Sequence, residues 1–249
     1  MANARSLLGI IAALPAEARS AGAREAPAGE VVRIADGVLL IRCGIGRARA
    51  TRAARDLMDS GAGALLSWGT AAALSRELDQ GDLVLPREVL SREGRRFRAD
   101  SQWRDRLCRM LESDGGCHAG TLAEADSVLT DADDKRRLHT LSGALIADME
   151  SAAIAEICQE AGRPLLVVRA VSDRVAIRVP ACALAAVDAS GDVKAVRCLA
   201  KLVLAPGDLL AVLRLAGGFS AACAALSRLA ERAGPAFLLS PPGANGSHA

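Results

Sequence analysis

Short apolar segments alternate with helical patterns along most of this chain. Five segments have the length and apolar character of buried strands, at residues 9–13, 38–43, 64–68, 82–85 and 165–170. Helical patterns lie between them, at residues 16–23, 48–60, 101–113, 131–141 and 151–161. The stretch 31–34 is expected to pair with 38–43 in a hairpin that turns at Asp36-Gly37. This alternation predicts a parallel or mixed sheet covered by helices on both faces.

The C-terminal part of the chain has a different character. Residues 181–232 are rich in Ala and Leu, and Pro206 and Gly217-Gly218 divide them into about three helical pieces. Residues 233–249 contain several Pro and Gly and are expected to form a disordered tail. We therefore predict an α/β fold with three α/β/α layers around a central mixed sheet. It would be a single domain, residues 1–232, with C-terminal helices at 181–232.

Composition argues against several classes of function. A net charge of +2 and an aromatic content of 2% do not favour nucleic-acid binding, which uses basic surfaces and aromatic stacking. The seven Cys are scattered, with no C-x-x-C pair, which favours a reducing compartment and a cytoplasmic location. The three His do not cluster with Cys, so no metal site is predicted. The apolar run 7–14 is interpreted as a first strand rather than a secretion signal, and no apolar run reaches the roughly 18 residues of a membrane span.

Two carboxylates stand next to apolar elements. Glu150 precedes a helix of small residues, and the strand at 165–170 leads into Ser172-Asp173. Burying a carboxylate is costly without a partner. The pair therefore indicates a polar ligand or a reaction at this end of the sheet.

Two glycine-containing segments follow predicted strands. Gly44-Ile45-Gly46 lies between a strand and a helix, but Arg49 stands where a dinucleotide-binding fingerprint needs Gly or Ala. A tight turn that lets the backbone approach a ligand fits better, and an ordinary turn remains the alternative. The segment 68–73 is interpreted as a loop after a strand, in which Thr70 offers a hydroxyl group at the edge where α/β sheets bind ligands.

Taken in order, these motifs resemble those of the nucleoside phosphorylase and nucleosidase family. The segments that resemble bacterial methylthioadenosine/S-adenosylhomocysteine nucleosidases are 9–17, 43–47, 68–74, 81–84, 149–150 and 172–173. They extend over about two-thirds of the chain. The helical stretch after Pro180 resembles the hopanoid-associated phosphorylases, which are proposed to remove adenine from adenosylhopane. The resemblance implies a nucleoside phosphorylase-like fold and cleavage of an N-glycosidic bond.

The resemblance also implies catalytic roles. Asp173, oriented by Ser172, would protonate N7 of the departing purine, and burial is expected to keep it protonated. An anionic Glu150 would hold the ribose hydroxyl groups and stabilise the positive charge on the sugar, with Met149 packed on the sugar face. Glu17 corresponds to the carboxylate that activates water in the hydrolytic branch.

Other positions are implied around the nucleoside. Gly69 and Thr70 are expected to contact the substrate, and Leu129 is expected beside the base. Val128 stands near the position of the aromatic residue that stacks on the base in the nucleosidases. Ala72 and Ala73 replace two glycines of the family's loop.

The nucleophile is either water or phosphate. Gly46 and Arg47 are expected on the nucleophile side, where Arg47 and Arg49 offer charges for phosphate. Ser67 stands where hexameric phosphorylases carry an arginine, which slightly favours hydrolysis. No cofactor is expected, and phosphate is the alternative co-substrate.

The expected partners are a nucleoside with an apolar substituent and a second copy of the chain in a homodimer. The leucines of 199–215 also suggest peripheral contact with the inner face of a membrane, although packing on the sheet or on a dimer partner is the simpler reading. An alternative of another class is a non-catalytic binding partner in a lipid pathway, which the altered segment 70–73 favours modestly.

Overall fold

The computed structural model describes residues 7–180, 208–237 and 239. Within them, ten strands form one sheet. The strands are β1 Leu7–Ala12, β2 Val31–Ala35, β3 Val38–Arg42, β4 Ala62–Ala73, β5 Leu83–Val84, β6 Glu88–Leu90, β7 Arg96–Arg98, β8 Thr121–Glu124, β9 Ile146–Asp148 and β10 Leu165–Asp173. The main path through the sheet runs β2-β3-β1-β4-β9-β8-β6-β7, with β10 paired to β4 and β5. β3, β1, β4 and β10 are parallel neighbours, whereas β2, β5 and β7 pair antiparallel. The predicted mixed sheet is confirmed.

Helices cover both faces of this sheet. The helices are α1 Pro15–Ser20, α2 Arg47–Asp59, α3 Ser101–Leu111, α4 Ala132–Ser142, α5 Ser151–Glu160 and α6 Leu209–Ala233. Apolar residues of α2 and α5 pack with one set of strand side chains, and those of α1, α3 and α6 pack with the other set. The alternation along β4 shows the division, because Leu65 belongs to the first core and Leu66 to the second. This is the predicted three-layer α/β/α arrangement.

The segment 68–73 was predicted to be a loop. It is instead the second half of β4. It pairs first with β10 and then, through Ala72 and Ala73, with β9. Alanine fits the pleated backbone between two neighbouring strands, where glycine would add flexibility. The short strands β6 to β9 were also not predicted.

The last described helix, α6, is continuous from Leu209 to Ala233 and is not divided at Gly217-Gly218. Gly218 lies against β10, where an added Cβ would stand 2.2 Å from the carbonyl oxygen of Ser172. The glycine therefore serves close helix–sheet packing instead of ending the helix. By length and composition α6 is also apolar enough to cross a membrane, but Ala222, Leu226 and Leu229 of its second half are buried in the core.

Residues 234–237 depart from the predicted disordered tail. Phe237 is buried, its ring meets that of Trp68 edge-on with centroids 4.9 Å apart, and its carbonyl oxygen accepts a hydrogen bond from Trp103 Nε1 at 2.6 Å. Two buried tryptophans thus hold this segment on the core. The predicted helices of 181–207 and nearly all of the tail beyond Phe237 lie outside the described residues.

Candidate active site

A cavity of about 180 Å³ opens where strands β1, β4, β9 and β10 end. It brings many of the predicted site residues to one place. Those that line it are Glu17, Thr70, Val128, Leu129, Met149, Glu150, Ser172 and Asp173. Gly46, Gly69 and Arg47 do not line it. The clustering follows from the topology, because the ends of neighbouring strands meet at one edge of the sheet.

Glu17 is held rigidly at the back of the cavity. One carboxylate oxygen accepts hydrogen bonds from the backbone N–H and the hydroxyl group of Thr70, both at 2.8 Å. The other accepts from the N–H groups of Ala13 and Leu14 at 3.1 and 3.0 Å. Burial nevertheless raises the pKa of Glu17 above its ordinary value, although these hydrogen bonds and Arg169 oppose the shift. A fixed carboxylate with a raised pKa suits a general base.

Gly69 supports this arrangement from behind. A Cβ at this position would stand 2.8 Å from the carboxyl carbon of Glu17, so only glycine allows the carboxylate to approach the strand this closely. Gly69 therefore shapes the site without lining the main cavity.

Glu150 faces the same cavity from the start of α5. Its carboxyl oxygens accept hydrogen bonds from Gly46 N–H at 2.7 Å and, more weakly, from Met149 N–H at 3.2 Å. Burial, followed by the charge of nearby Asp148, raises the pKa of Glu150 to about 8. Burial therefore favours the protonated form of Glu150 in the free protein, whereas an anionic Glu150 was expected from the sequence.

Asp173 is buried at the end of β10, and both of its oxygens have partners. Ser172 donates a hydrogen bond to Oδ1 at 2.8 Å, and the ammonium group of Lys135 contacts Oδ2. This buried cation beside Asp173 was not expected from the sequence.

A buried polar network lies behind the cavity. Arg169 donates from Nε to Asp148 at 2.8 Å, and its Nη2 donates to the hydroxyl groups of Ser67 and Ser151 at 2.7 and 2.9 Å. Asp148 also accepts from the Ser151 hydroxyl at 2.5 Å. The network satisfies a charge pair that would otherwise be costly to bury, and it fixes the start of α5, where Glu150 lies.

A second, much smaller cavity of about 20 Å³ is lined by both Glu17 and Glu150. Thr70 and Arg169 also line it. This volume suffices for one water molecule, and the walls offer both hydrogen-bond donors and acceptors.

Arg47 does not have the position that the sequence analysis expected. Its guanidinium group donates twice to Glu124, at 2.7 and 2.9 Å, and once to Glu156 at 2.6 Å. These carboxylates occupy the donors that a phosphate would need. Arg49 is exposed on the outer side of α2 and lines a different cavity. Gly46 contributes to the site through its N–H group on Glu150.

The far end of the main cavity is apolar and open. Val128 is 44% exposed and, with Leu129 and Ala125, forms this wall. No aromatic ring lines the cavity among the described residues. A flat base would therefore contact aliphatic side chains here.

Three charged residues of the site were missed. Asp148 and Arg169 belong to the network behind it, and Lys135 contacts Asp173. An arginine inside the apolar strand at 165–170 was an available signal, because a buried charge requires a partner. Lys135 gave none, since it stands in the highly charged stretch 133–137, which is typical of a solvated helix face. Within the described part of the chain, no group of three His, Cys, Asp or Glu residues could hold a metal ion.

Comparisons with known proteins agree with this architecture. The profile of the Phosphorylase superfamily matches residues 8–205. A 5'-methylthioadenosine/S-adenosylhomocysteine nucleosidase of Tolumonas auensis is 27% identical over 156 residues, 55% of this chain and 68% of that protein.

Solved structures show the same fold. Futalosine hydrolase of Helicobacter pylori superposes with a TM-score of 0.67 at 15% identity, over 91% of this chain and 96% of that one. S-adenosylhomocysteine nucleosidase of Streptococcus pyogenes, solved with 5-methylthiotubericidin, superposes with a TM-score of 0.69 at 19% identity, over 93% and 97%. The match over most of the sequence and the shared fold show that this chain belongs to the phosphorylase superfamily.

Proposed function

We propose that this protein hydrolyses the N-glycosidic bond of a 5′-substituted adenosine and releases adenine. The observation that carries the proposal is a single cavity in which Glu17, Glu150 and Asp173 converge. Breaking this bond leaves positive charge on the ribose and negative charge on the base. Carboxyl groups at the two ends of the substrate can serve both needs. The relatives named as nucleosidases support the same chemistry.

Asp173 is proposed as the general acid at the base. N7 of adenine is a hydrogen-bond acceptor, and so is a carboxylate oxygen. The two can approach only with a proton between them, so the proposed acid is Asp173 in its protonated form. In the reaction the O–H bond of Asp173 breaks and an N7–H bond forms, while the electrons of the broken glycosidic bond remain on the base.

Glu150 is proposed to bind the ribose hydroxyl groups. A carboxyl group with a pKa of about 8 is neutral at pH 7, so it can donate one hydrogen bond and accept another. Met149 lines the cavity beside it and would pack on the sugar. As positive charge develops on the ribose, the carboxyl oxygens of Glu150 beside the sugar carry partial negative charge that stabilises the transition state.

Water is proposed as the nucleophile. The ionisable side chains that line the main cavity, among the described residues, are Glu17, Asp148, Glu150 and Asp173, all of them acidic. Phosphate would find no basic side chain among the described residues that line this cavity, whereas a water molecule fits the small cavity that Glu17 and Glu150 line. The oxygen of that water would bond to C1′ and its proton would pass to Glu17. The proposal requires no cofactor, and phosphorolysis at the same site is the alternative.

Adenine release from 5′-methylthioadenosine, measured with and without phosphate, tests the proposal. We expect release in both conditions and free sugar as the product. A sugar 1-phosphate would establish phosphorolysis instead. Asp173→Asn should retain the fold and lose activity, and full turnover by this variant would refute the acid assignment. If the wild-type protein releases no base from any adenosyl compound, a non-catalytic role as a lipid-pathway binding partner becomes the better explanation.

We further propose that the 5′ substituent is large and apolar, as in adenosylhopane, and that the protein acts in hopanoid synthesis. The supporting observation is the exposure of Leu209, Leu210 and Leu213, which are 46%, 65% and 57% exposed at the start of α6. The same helix contacts β10 at Ser172, which lines the cavity. They could cover an apolar chain or contact a bilayer at the inner membrane face.

Replacing these three leucines with serine tests the apolar substituent. We expect kcat/KM for an adenosine with a long 5′-alkyl chain to fall about tenfold or more, because each lost methylene contact is worth about 0.8 kcal/mol. Activity on 5′-methylthioadenosine should not change. Leu141→Ser, at a leucine that is 79% exposed on α4, is the control. Equal activity of the triple variant on both substrates would contradict the proposal. Homodimer formation remains a prediction, which light scattering in solution can check.

A further inference from the structure

Lys135 is a fully buried cation next to the proposed acid. It projects from α4, its relative exposure is 0%, and its ammonium group has three acceptors. These are Asp173 Oδ2 and the backbone carbonyl oxygens of Arg174 and Ile177, the latter two at 3.1 Å. The three N–H bonds of the ammonium group are therefore all used. Burying an ammonium ion is costly even when it is paired, so a role in positioning Asp173 would explain why this one is kept.

The contact makes the two oxygens of Asp173 different. Oδ2 accepts a hydrogen bond from the ammonium group of Lys135. A proton on Oδ2 that pointed at this ammonium group would clash with its N–H donors. Oδ1 is next to the hydroxyl group of Ser172, which has two acceptors within reach, Oδ1 at 2.8 Å and the carbonyl oxygen of Ala71 at 3.2 Å. The Ser172 hydroxyl can therefore donate to Oδ1 when Asp173 is charged and turn to Ala71 when Oδ1 is protonated.

We propose that Lys135 is a positioning residue that holds Oδ2 of Asp173 and so makes Oδ1 the oxygen that donates the proton to the base. The inference rests on the proposed function and adds a residue to it. When the Oδ1–H bond breaks and the N7–H bond forms, Asp173 becomes a carboxylate beside an existing cation. Lys135 thereby also stabilises the charge left on the acid. The hydrogen bonds from Lys135 to the carbonyl oxygens of Arg174 and Ile177 fix the segment that follows Asp173. They also hold the ammonium group in position.

Two substrates with different leaving groups separate this role from a structural one. Adenine needs protonation to depart, whereas 4-nitrophenolate departs without it. We expect Lys135→Met to lower kcat on 5′-methylthioadenosine by about 10²-fold or more, the range of a general-acid contribution. The same variant should change kcat on 4-nitrophenyl β-D-ribofuranoside by less than about threefold. Arg137→Met, an exposed charge on the same helix, is the matched control and should affect neither substrate.

The double variant Lys135→Met with Asp173→Asn gives a second readout, because it should be no slower on 5′-methylthioadenosine than Asp173→Asn alone. If Lys135→Met does not fold, Lys135→Gln, which keeps two N–H donors without the charge, is measured on the same two substrates. Equal losses on both substrates, or no loss on either, would overturn the role of Lys135. Failure of the wild-type protein to release adenine would instead refute the proposed function, so the two failures are distinguishable.

Discussion

Replacing Glu150 with Gln should stabilise the folded protein, and the gain should grow with pH. The carboxyl group of Glu150 has a pKa of about 8 in the folded protein, against an ordinary value of 4.5. Between these two pH values the unfolded chain has released the proton and the folded chain has retained it. Since the unfolded state then binds fewer protons, the free energy of unfolding falls as the pH rises. Gln keeps the shape of the side chain and the acceptor for Gly46 N–H, and it does not titrate.

The size of this destabilisation follows from the difference between the two pKa values of Glu150. Each pH unit within it corresponds to about 1.4 kcal/mol, so the charge of Glu150 lowers the free energy of unfolding by about 1 kcal/mol at pH 5, about 3 kcal/mol at pH 7 and about 5 kcal/mol at pH 9. Glu150→Gln should remove this loss. We therefore expect the stability difference between the variant and the wild-type protein to increase by about 2 kcal/mol from pH 5 to pH 7.

Urea denaturation of both proteins at pH 5, 6, 7, 8 and 9 measures this difference. Glu156→Gln is the control, because Glu156 is a more exposed carboxylate of the same helix in an ion pair with Arg47. The variant should show little ribose binding, so the stabilised protein is also the less active one. A stability difference that is constant over this pH range, or that decreases with pH, would refute the reasoning.

Three further substitutions test separate parts of the site. Gly69→Ala should lower kcat at least about tenfold, because the new methyl group displaces the carboxylate of Glu17. The free energy of unfolding should fall by about 1–3 kcal/mol. Unchanged kinetics would contradict the packing argument. Val128→Phe should tighten adenine binding about two- to tenfold by calorimetry, since an aromatic contact adds about 0.5–1.5 kcal/mol. Arg169→Met should destabilise the protein by about 3–5 kcal/mol in urea, because Asp148 is left buried without its cation; a loss below 1 kcal/mol would show that the pair matters little.

Continuous apolar runs made the central strands predictable. β1, β3 and β10 are buried along nearly their whole length, so most of their residues are apolar, although β10 also contains the buried Arg169. The strands β6 to β9 have only three or four residues each, and β8 and β9 pair with strands far along the chain. No local pattern distinguishes such strands from loops. The continuity of α6 through Gly217-Gly218 could not be predicted from sequence either, because it depends on the close packing of Gly218 against Ser172.

Much of the site was predictable for a different reason. The motifs lie at strand ends, and a parallel sheet gathers those ends at one edge, so the positions along the sequence specify positions in space. The charge balance was not predictable in this way. Lys135 reaches Asp173 from a separate helix, and Arg47 turns away toward Glu124 and Glu156. Which cation meets which carboxylate depends on tertiary packing rather than on sequence spacing.

These pairings divide the carboxyl groups of the cavity into two classes. Asp148 and Asp173 each contact a buried cation, whereas Glu17 and Glu150 rely on backbone and hydroxyl donors, and burial raises the pKa of both. Groups without a cation can hold or accept protons near neutral pH, which a base and a ribose ligand require. Asp173 is held between Lys135 and the Ser172 hydroxyl group, in position for the proton transfer to the base that the proposed reaction requires. Calorimetry of adenine binding in buffers of different ionisation enthalpy measures how many protons are exchanged when the base is placed in the cavity, and Asp173→Asn should abolish the part of that exchange that belongs to Asp173.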